Sequence, residues 1–299
     1  MATLTKKTIL SHLSVKEAMR RQVIWIPKEE NIAKTINLFI KYKVNALLTT
    51  SRDNKPVGVV SKTDVMGAYY AGLPLESPVE GIMSSPPLFC KPDESLEVAL
   101  DRMKSRGIYR LYVREREDGE AVGILAYPDI VGLLYRYCHG CEYSHFSRKK
   151  PAETKRQIQY RVKDVMTTNV KSFRDNETLM QIMEGLSVYR FGAVLIKDQN
   201  SYPAGVVSKT DLILAYKHGI SADIPAKLIM SSPVKSCDEE DLLEEAIRKM
   251  IFSEVHRLFV HRDTHQKIVG VFSLSDAARL KSGSCRACVS SRIKVDDHS

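Results

Sequence analysis

Hydrophobic positions along the chain switch between two periods, and residues 87–136 show the switch clearly. A short apolar run, Pro87-Leu-Phe-Cys90, precedes the polar string Lys91-Pro-Asp-Glu-Ser95. Leu96-Glu-Val-Ala-Leu-Asp-Arg-Met103 then sets apolar residues at helical spacing, which predicts an amphipathic helix. Ile108 to Val113 and Val122 to Leu125 are β-favouring runs divided by the charged turn Arg114-Glu-Arg-Glu-Asp-Gly119. Asp129 is expected to open a second helix through Ile-Val-Gly-Leu-Leu-Tyr135. The predicted unit is β-α-β-β-α. A unit of about 60 residues buries little surface by itself, so pairing with another unit is expected.

The same unit occurs four times. Gly58-Val-Val-Ser-Lys-Thr-Asp64 recurs unchanged at 205–211, an offset of 147. Gly123-Ile-Leu-Ala-Tyr-Pro-Asp129 and Gly270-Val-Phe-Ser-Leu-Ser-Asp276 are looser copies at the same offset of 147. A second landmark precedes each copy: Val15-Lys-Glu-Ala-Met19, Val79-Glu-Gly-Ile-Met83, Val162-Lys-Asp-Val-Met166 and Ala226-Lys-Leu-Ile-Met230. Methionine and aspartate stand 45, 46, 45 and 46 residues apart in the four units. Two landmarks on one ruler identify a duplication of a duplicated unit.

A β-α-β-β-α unit ending in Gly-h-h-Ser-x-x-Asp and repeated in pairs resembles the CBS domain, and two such pairs resemble two Bateman modules. The resemblance implies an α/β (α+β) fold of four CBS repeats in two tandem modules. The repeats are expected at 14–72, 78–137, 160–220 and 225–281, with an N-terminal segment 1–13, a basic linker 138–159 and a tail 282–299. Sister sheets should face each other across a pseudo-two-fold axis, and a second approximate two-fold should relate the modules.

The resemblance also implies a regulatory protein, not an enzyme. It is similar to stand-alone nucleotide-sensing CBS proteins and to the γ subunit of AMP-activated protein kinase. Such proteins bind AMP, ADP, ATP or S-adenosylmethionine in clefts between paired units and signal to a partner protein, here unknown; a homodimer is the implied assembly. No cofactor for catalysis is implied. Carried over, Asp64, Asp129, Asp211 and Asp276 take ribose hydroxyls, and Ser61, Ser208 and Ser273 lie near phosphate, with Thr63 and Thr210 beside them. Unit two departs from the pattern, because Ala126 stands where the hydroxyl should be. The chemistry suits the assignment: a carboxylate can accept from two vicinal hydroxyls, and a helix start offers N–H groups to phosphate. Ser-x-x-Asp before an apolar helix is equally a capping box that needs no ligand. Arg110 and Arg257, the latter after His256, stand at equivalent strand starts 147 apart and suit bidentate phosphate contact. Unit one has no such arginine, and Arg190 is an offset substitute in unit three.

All six cysteines obey the 147 offset as well. Cys90 and Cys237 read as small buried hydrophobes. Cys138-His-Gly-Cys141 and Cys285-Arg-Ala-Cys288 supply four thiols, which fit tetrahedral zinc or an iron–sulfur cluster, a redox disulfide, or ordinary thiols. A metal- or redox-sensing CBS protein is therefore the alternative function. The formal charge is +9, and eight Lys/Arg against two Asp/Glu lie between Arg136 and Lys163. That segment is either a solvated linker or an attraction for nucleic acid, although no nucleic-acid-binding motif accompanies it. No signal-peptide run and no membrane-length apolar stretch is present, so the expected location is the cytoplasm. No Gly-rich phosphate loop, His-Glu-x-x-His or nucleophile elbow points to an enzyme.

Overall fold

The computed structural model describes residues 12–140 and 160–283, without the side chains of 136–140 and 279–283. Each unit is a three-stranded sheet with two helices on it. Unit one has β1 (Trp25–Pro27), α2 (Ile32–Lys41), β2 (Ala46–Thr50), β3 (Pro56–Ser61) and α3 (Lys62–Tyr70), after a single turn, α1 (Val15–Ala18). Unit two has β4 (Phe89–Cys90), α4 (Leu96–Ser105), β5 (Arg110–Val113), β6 (Gly123–Ala126) and α5 (Tyr127–Gly140). Unit three has β7 (Ser172–Arg174), α6 (Leu179–Val188), β8 (Ala193–Lys197), β9 (Pro203–Ser208) and α7 (Lys209–Lys217). Unit four has β10 (Ser236–Asp238), α8 (Leu243–Phe252), β11 (Arg257–Arg262), β12 (Thr264–Ser273) and α9 (Leu274–Gly283). In every sheet the first strand pairs parallel with the second, and the second antiparallel with the third. The first crossover carries a helix, as a parallel connection requires.

The landmark segments become single turns: α1 and the 3-10 turns Val79–Gly81, Val162–Asp164 and Ala226–Leu228. The leading residue of each, Val15, Val79, Val162 or Ala226, is fully buried. Just after each turn the chain bridges to the last strand of its sister unit, as Arg20 with Ile124, Ser84 with Val59, Thr167 with Val271 and Ser231 with Val206. That bridge lays the landmark methionine over the motif glycine. A Cβ built on Gly58, Gly123, Gly205 or Gly270 would lie 2.7, 2.7, 2.7 or 2.4 Å from the sulfur of Met83, Met19, Met230 or Met166. The two sequence landmarks are thus the two halves of one contact, exchanged reciprocally between sister units.

Sheets meet within a module and helices meet between modules. Leu48, Tyr112 and Ile124 form a small core between the sheets of units one and two. One large core joins α2 and α3 to α6 and α7, and the other joins α4 and α5 to α8 and α9. Unit one therefore packs on unit three, and unit two on unit four. Tyr69 and Tyr216 stack at the first of these contacts, with ring centroids 4.9 Å apart. Their hydroxyls donate across the contact, Tyr69 to the Ile220 carbonyl at 2.7 Å and Tyr216 to the Leu73 carbonyl.

Two local expectations need correction. The motif aspartate is the third residue of its helix, not the first, because Ser61 and Ser208 hold extended backbone as N-caps. In unit two, α5 continues to Gly140, so the backbone of Cys138 belongs to the last helical turn instead of following it. Cys90 and Cys237 are buried as expected, paired in register with Val113 and Val260. Burial pushes both thiols up to about 12.

The Gly–Met contact leaves no space for a methyl group. Gly205→Ala should cost about 1–3 kcal/mol by overpacking, since the Ser231 carbonyl is also 3.0 Å from the new Cβ. Gly67→Ala, inside α3 with nothing within 4 Å of its Cβ, should leave stability unchanged or raise it by about 0.5–1 kcal/mol. Urea denaturation of the two variants separates a steric cost from a general intolerance of glycine replacement.

Candidate functional site

The four motif aspartates share one local geometry. One carboxylate oxygen, Oδ2, accepts from the backbone N–H of the N-cap: Ser61 at 2.7 Å, Ala126 at 2.8 Å, Ser208 at 2.8 Å and Ser273 at 3.0 Å. Where a serine is present, its hydroxyl donates to the same oxygen, at 2.7 Å for Asp64, 2.6 Å for Asp211 and 2.5 Å for Asp276. The capping box is therefore real in this molecule, and it uses one oxygen per aspartate. Oδ1 is left for something else. In Asp64 and Asp276 it has no hydrogen-bond partner among the described residues. In Asp211 it accepts from Ser231 at 3.0 Å, and in Asp129 it pairs with Arg20 at 2.8 Å. Burial raises the carboxyl pKa of Asp64 and Asp129 above the usual value, opposed by hydrogen bonds from Ser61 in the first and by Arg20 in the second.

Cations cross between units close to these helix starts. Arg110 donates to the Ala46 carbonyl at 3.3 Å and Arg257 to the Ala193 carbonyl at 3.1 Å, each crossing to its sister sheet. Gly192 gives Arg257 its passage, since a Cβ there would sit 2.6 Å from the guanidinium. His256 Nδ1 is 3.5 Å from the Asn45 amide of the other module, and burial followed by the nearby Arg257 lowers its pKa. Arg190 is no strand arginine: it holds a left-handed turn at φ 53°, with its guanidinium beside Gly107.

Two lysines complete the centre and escaped the sequence reading. Lys62 donates to the Thr210 hydroxyl at 2.9 Å, and Lys209 to the Thr63 hydroxyl at 2.7 Å. Each lysine thus reaches the helix start of the opposite module, where Lys209 favours the charged form of Asp64. Burial pushes both lysines down to about 8, with Arg110 adding to the effect on Lys62 and Arg257 on Lys209. A signal was present in the sequence. Lysine recurs in the unchanged heptapeptide, whereas Tyr127 and Leu274 stand at its place in units two and four.

The structure brings Ser61, Thr63, Asp64, Ser208, Thr210 and Asp211 together through these lysines, and sets Arg110 and Arg257 at the sister sheets. Cys141, Cys285 and Cys288, and the side chain of Cys138, lie outside the described residues, as does most of the basic linker. Among the described residues no group of three or more His, Cys, Asp or Glu is placed to hold a metal. No described helix is long and apolar enough to cross a membrane. Two shallow recesses, about 570 and 410 Å³, lie at the turns after β8 and β2 respectively and are not lined by a motif aspartate.

The CBS domain family model matches residues 15–71, 79–136, 162–218 and 223–283, and the chain belongs to that family. Protein MJ1225 of Methanocaldococcus jannaschii is 21% identical over 199 residues, which are 67% of this chain and 68% of that protein. Its crystal structure, described as that of a candidate archaeal homologue of γ-AMPK, superposes with a TM-score of 0.74 and 15% identity, covering 89% of this chain and 99% of that one. An uncharacterised conserved protein of Pyrococcus horikoshii matches with a TM-score of 0.59 and 18% identity, covering 90% of this chain and 100% of that one. These structural likenesses show the fold. Homoserine O-acetyltransferase of Methanosphaerula palustris is 29% identical over 127 residues, 42% of this chain but 25% of that enzyme.

The half-buried lysines contribute to stability with a definite dependence on pH. Their folded pKa of about 8 lies below the ordinary value of 10.5, so the unfolded chain binds more protons between those values. The lysine pair's own contribution to stability should therefore rise from about pH 8, by on the order of 1–2 kcal/mol per pH unit, while the two thiols, raised from 9.0 to about 12, act with the opposite sign above about pH 9. Replacing both, as K62M/K209M, should flatten that rise in pH-dependent urea titrations.

Proposed function

We propose that the chain is a non-catalytic regulatory protein that binds an adenosyl ligand, AMP, ADP, ATP or S-adenosylmethionine, between sister CBS units and passes occupancy to a partner. The observation that carries the reading is the divided use of the motif carboxylates. Asp64 and Asp276 spend Oδ2 on the helix cap, and Oδ1 has no hydrogen-bond partner among the described residues. A ribose diol offers hydroxyl donors for that acceptor, so one carboxylate would cap its helix and hold the sugar at once. The converging Arg110, Arg257, Lys62 and Lys209 supply charge for phosphate, and the guanidinium groups suit its geometry. Family membership supports the same ligand class, and the folded chain leaves no described domain outside the four repeats.

Titration calorimetry of the full chain tests the reading. AMP or ATP should bind with micromolar affinity, about −8 kcal/mol. Asp64→Ala should weaken binding by roughly 1–3 kcal/mol, through loss of a part-buried acceptor for the ligand hydroxyls. Arg257→Ala should weaken AMP and ATP more than adenosine, because only the nucleotides carry phosphate. No heat and no change in melting temperature with any adenosyl compound would overturn it.

A further inference from the structure

The four aspartate positions differ at the residue that follows each landmark methionine. That residue is Arg20, Ser84, Thr167 or Ser231, and each bridges to the last strand of its sister unit, next to that unit's aspartate. Ser231 shows what a small residue does there. Its hydroxyl donates to Asp211 Oδ1 at 3.0 Å, a single neutral hydrogen bond. Arg20 is the one charged residue of the four. Its Nε lies 2.8 Å from Asp129 Oδ1, while Asp129 Oδ2 accepts from the Ala126 N–H at 2.8 Å. Both oxygens of Asp129 are therefore taken, and the carboxylate is only 8% exposed. The arginine reaches in from the surface, with 48% of its side chain exposed. The same unit has Ala126 in place of the cap hydroxyl.

We propose that Arg20 is a specificity-determining residue that closes the unit-two position to ribose, so that the chain holds one adenosyl ligand fewer than its four aspartates suggest. The inference rests on the adenosyl-binding reading above. A guanidinium only donates, so it satisfies the acceptor that a ribose diol would otherwise use. Ribose must then displace a charge-assisted contact held within the same chain, in a place where water does little to solvate the freed carboxylate. Set against Asp64 and Asp276, whose Oδ1 has no hydrogen-bond partner among the described residues, that displacement weakens ribose binding at Asp129 roughly 10–100-fold. The opening substitution is suggested by the chain's own pattern. Serine stands at the equivalent place in units two and four, so Arg20→Ser gives unit one the residue already used there.

Equilibrium dialysis of the full chain with AMP, ATP and S-adenosylmethionine tests it, by counting ligands at saturation. R20S, or R20S/A126S with the cap hydroxyl restored, should take up one equivalent more than the parent. Adding D129A to either should remove that extra equivalent, and D129A alone should change nothing. R21S removes the same charge from the neighbouring exposed arginine and should leave the count unchanged. Melting curves confirm that each variant is folded. If both Arg20 variants bind the parental number or fewer, Arg20 does not close the position, although the adenosyl reading survives. A lost equivalent in D129A alone overturns the inference in the same way. If neither the parent nor any variant binds any of the three compounds, the adenosyl reading itself fails and the inference falls with it.

Discussion

A methionine from one repeat lies on a bare glycine of the next, with 2.4–2.7 Å between its sulfur and the place a Cβ would occupy. The same approach recurs four times, and much of the arrangement hangs from it. The bridge beside it fixes where each landmark turn crosses its sister's last strand. That crossing sets the sister sheets face to face around Leu48, Tyr112 and Ile124 in the first module. With the sheets turned towards each other, the helices are left on the outside of each pair. Their apolar faces must then be buried against a second pair, which is why the two large cores run between modules. A unit of this size buries little surface alone, and the reciprocal contact adds a shared interior to each pair.

The same architecture gathers charge at the centre. Arg110 and Arg257 cross between sister sheets, and Lys62 and Lys209 cross between modules. Each cation has carbonyl or hydroxyl partners and a carboxylate nearby, so burial is tolerated, yet both lysines give up part of their basicity to it. Helix capping and ligand binding are often treated as rival explanations of a Ser-x-x-Asp motif. In this molecule they fall on different oxygens of the same carboxylate. The cap holds the carboxylate in one rotamer, and a rotamer held in advance lowers the ordering cost of any ligand that uses the other oxygen.

Much of the organisation could be read from the chain. The offset of 147 and the ruler of 45 or 46 residues fixed four units in two pairs, because a repeated unit repeats its landmarks. Helical and strand periods placed the elements to within a few residues, and Ser61, Ser208 and Ser273 revealed the caps of the helices that follow them. Cys90 and Cys237 were legible as core residues from their place in the first short strand of a unit, beside apolar or small neighbours. Other features were beyond any local reading. Lys62 is consecutive with Thr63 in sequence, yet its partner is Thr210, 148 residues on. Arg20 reads as an unremarkable charge after a methionine, and only the folded chain sets it against Asp129. The sequence by itself determined the repeat, its elements and the candidate aspartates, since those follow from short-range periodicity and capping. Which unit packs on which across the two modules, and which cation meets which carboxylate, was decided by tertiary structure alone. Such pairings depend on burying whole helix faces and sheet faces together, and no residue carries that information in its immediate neighbours.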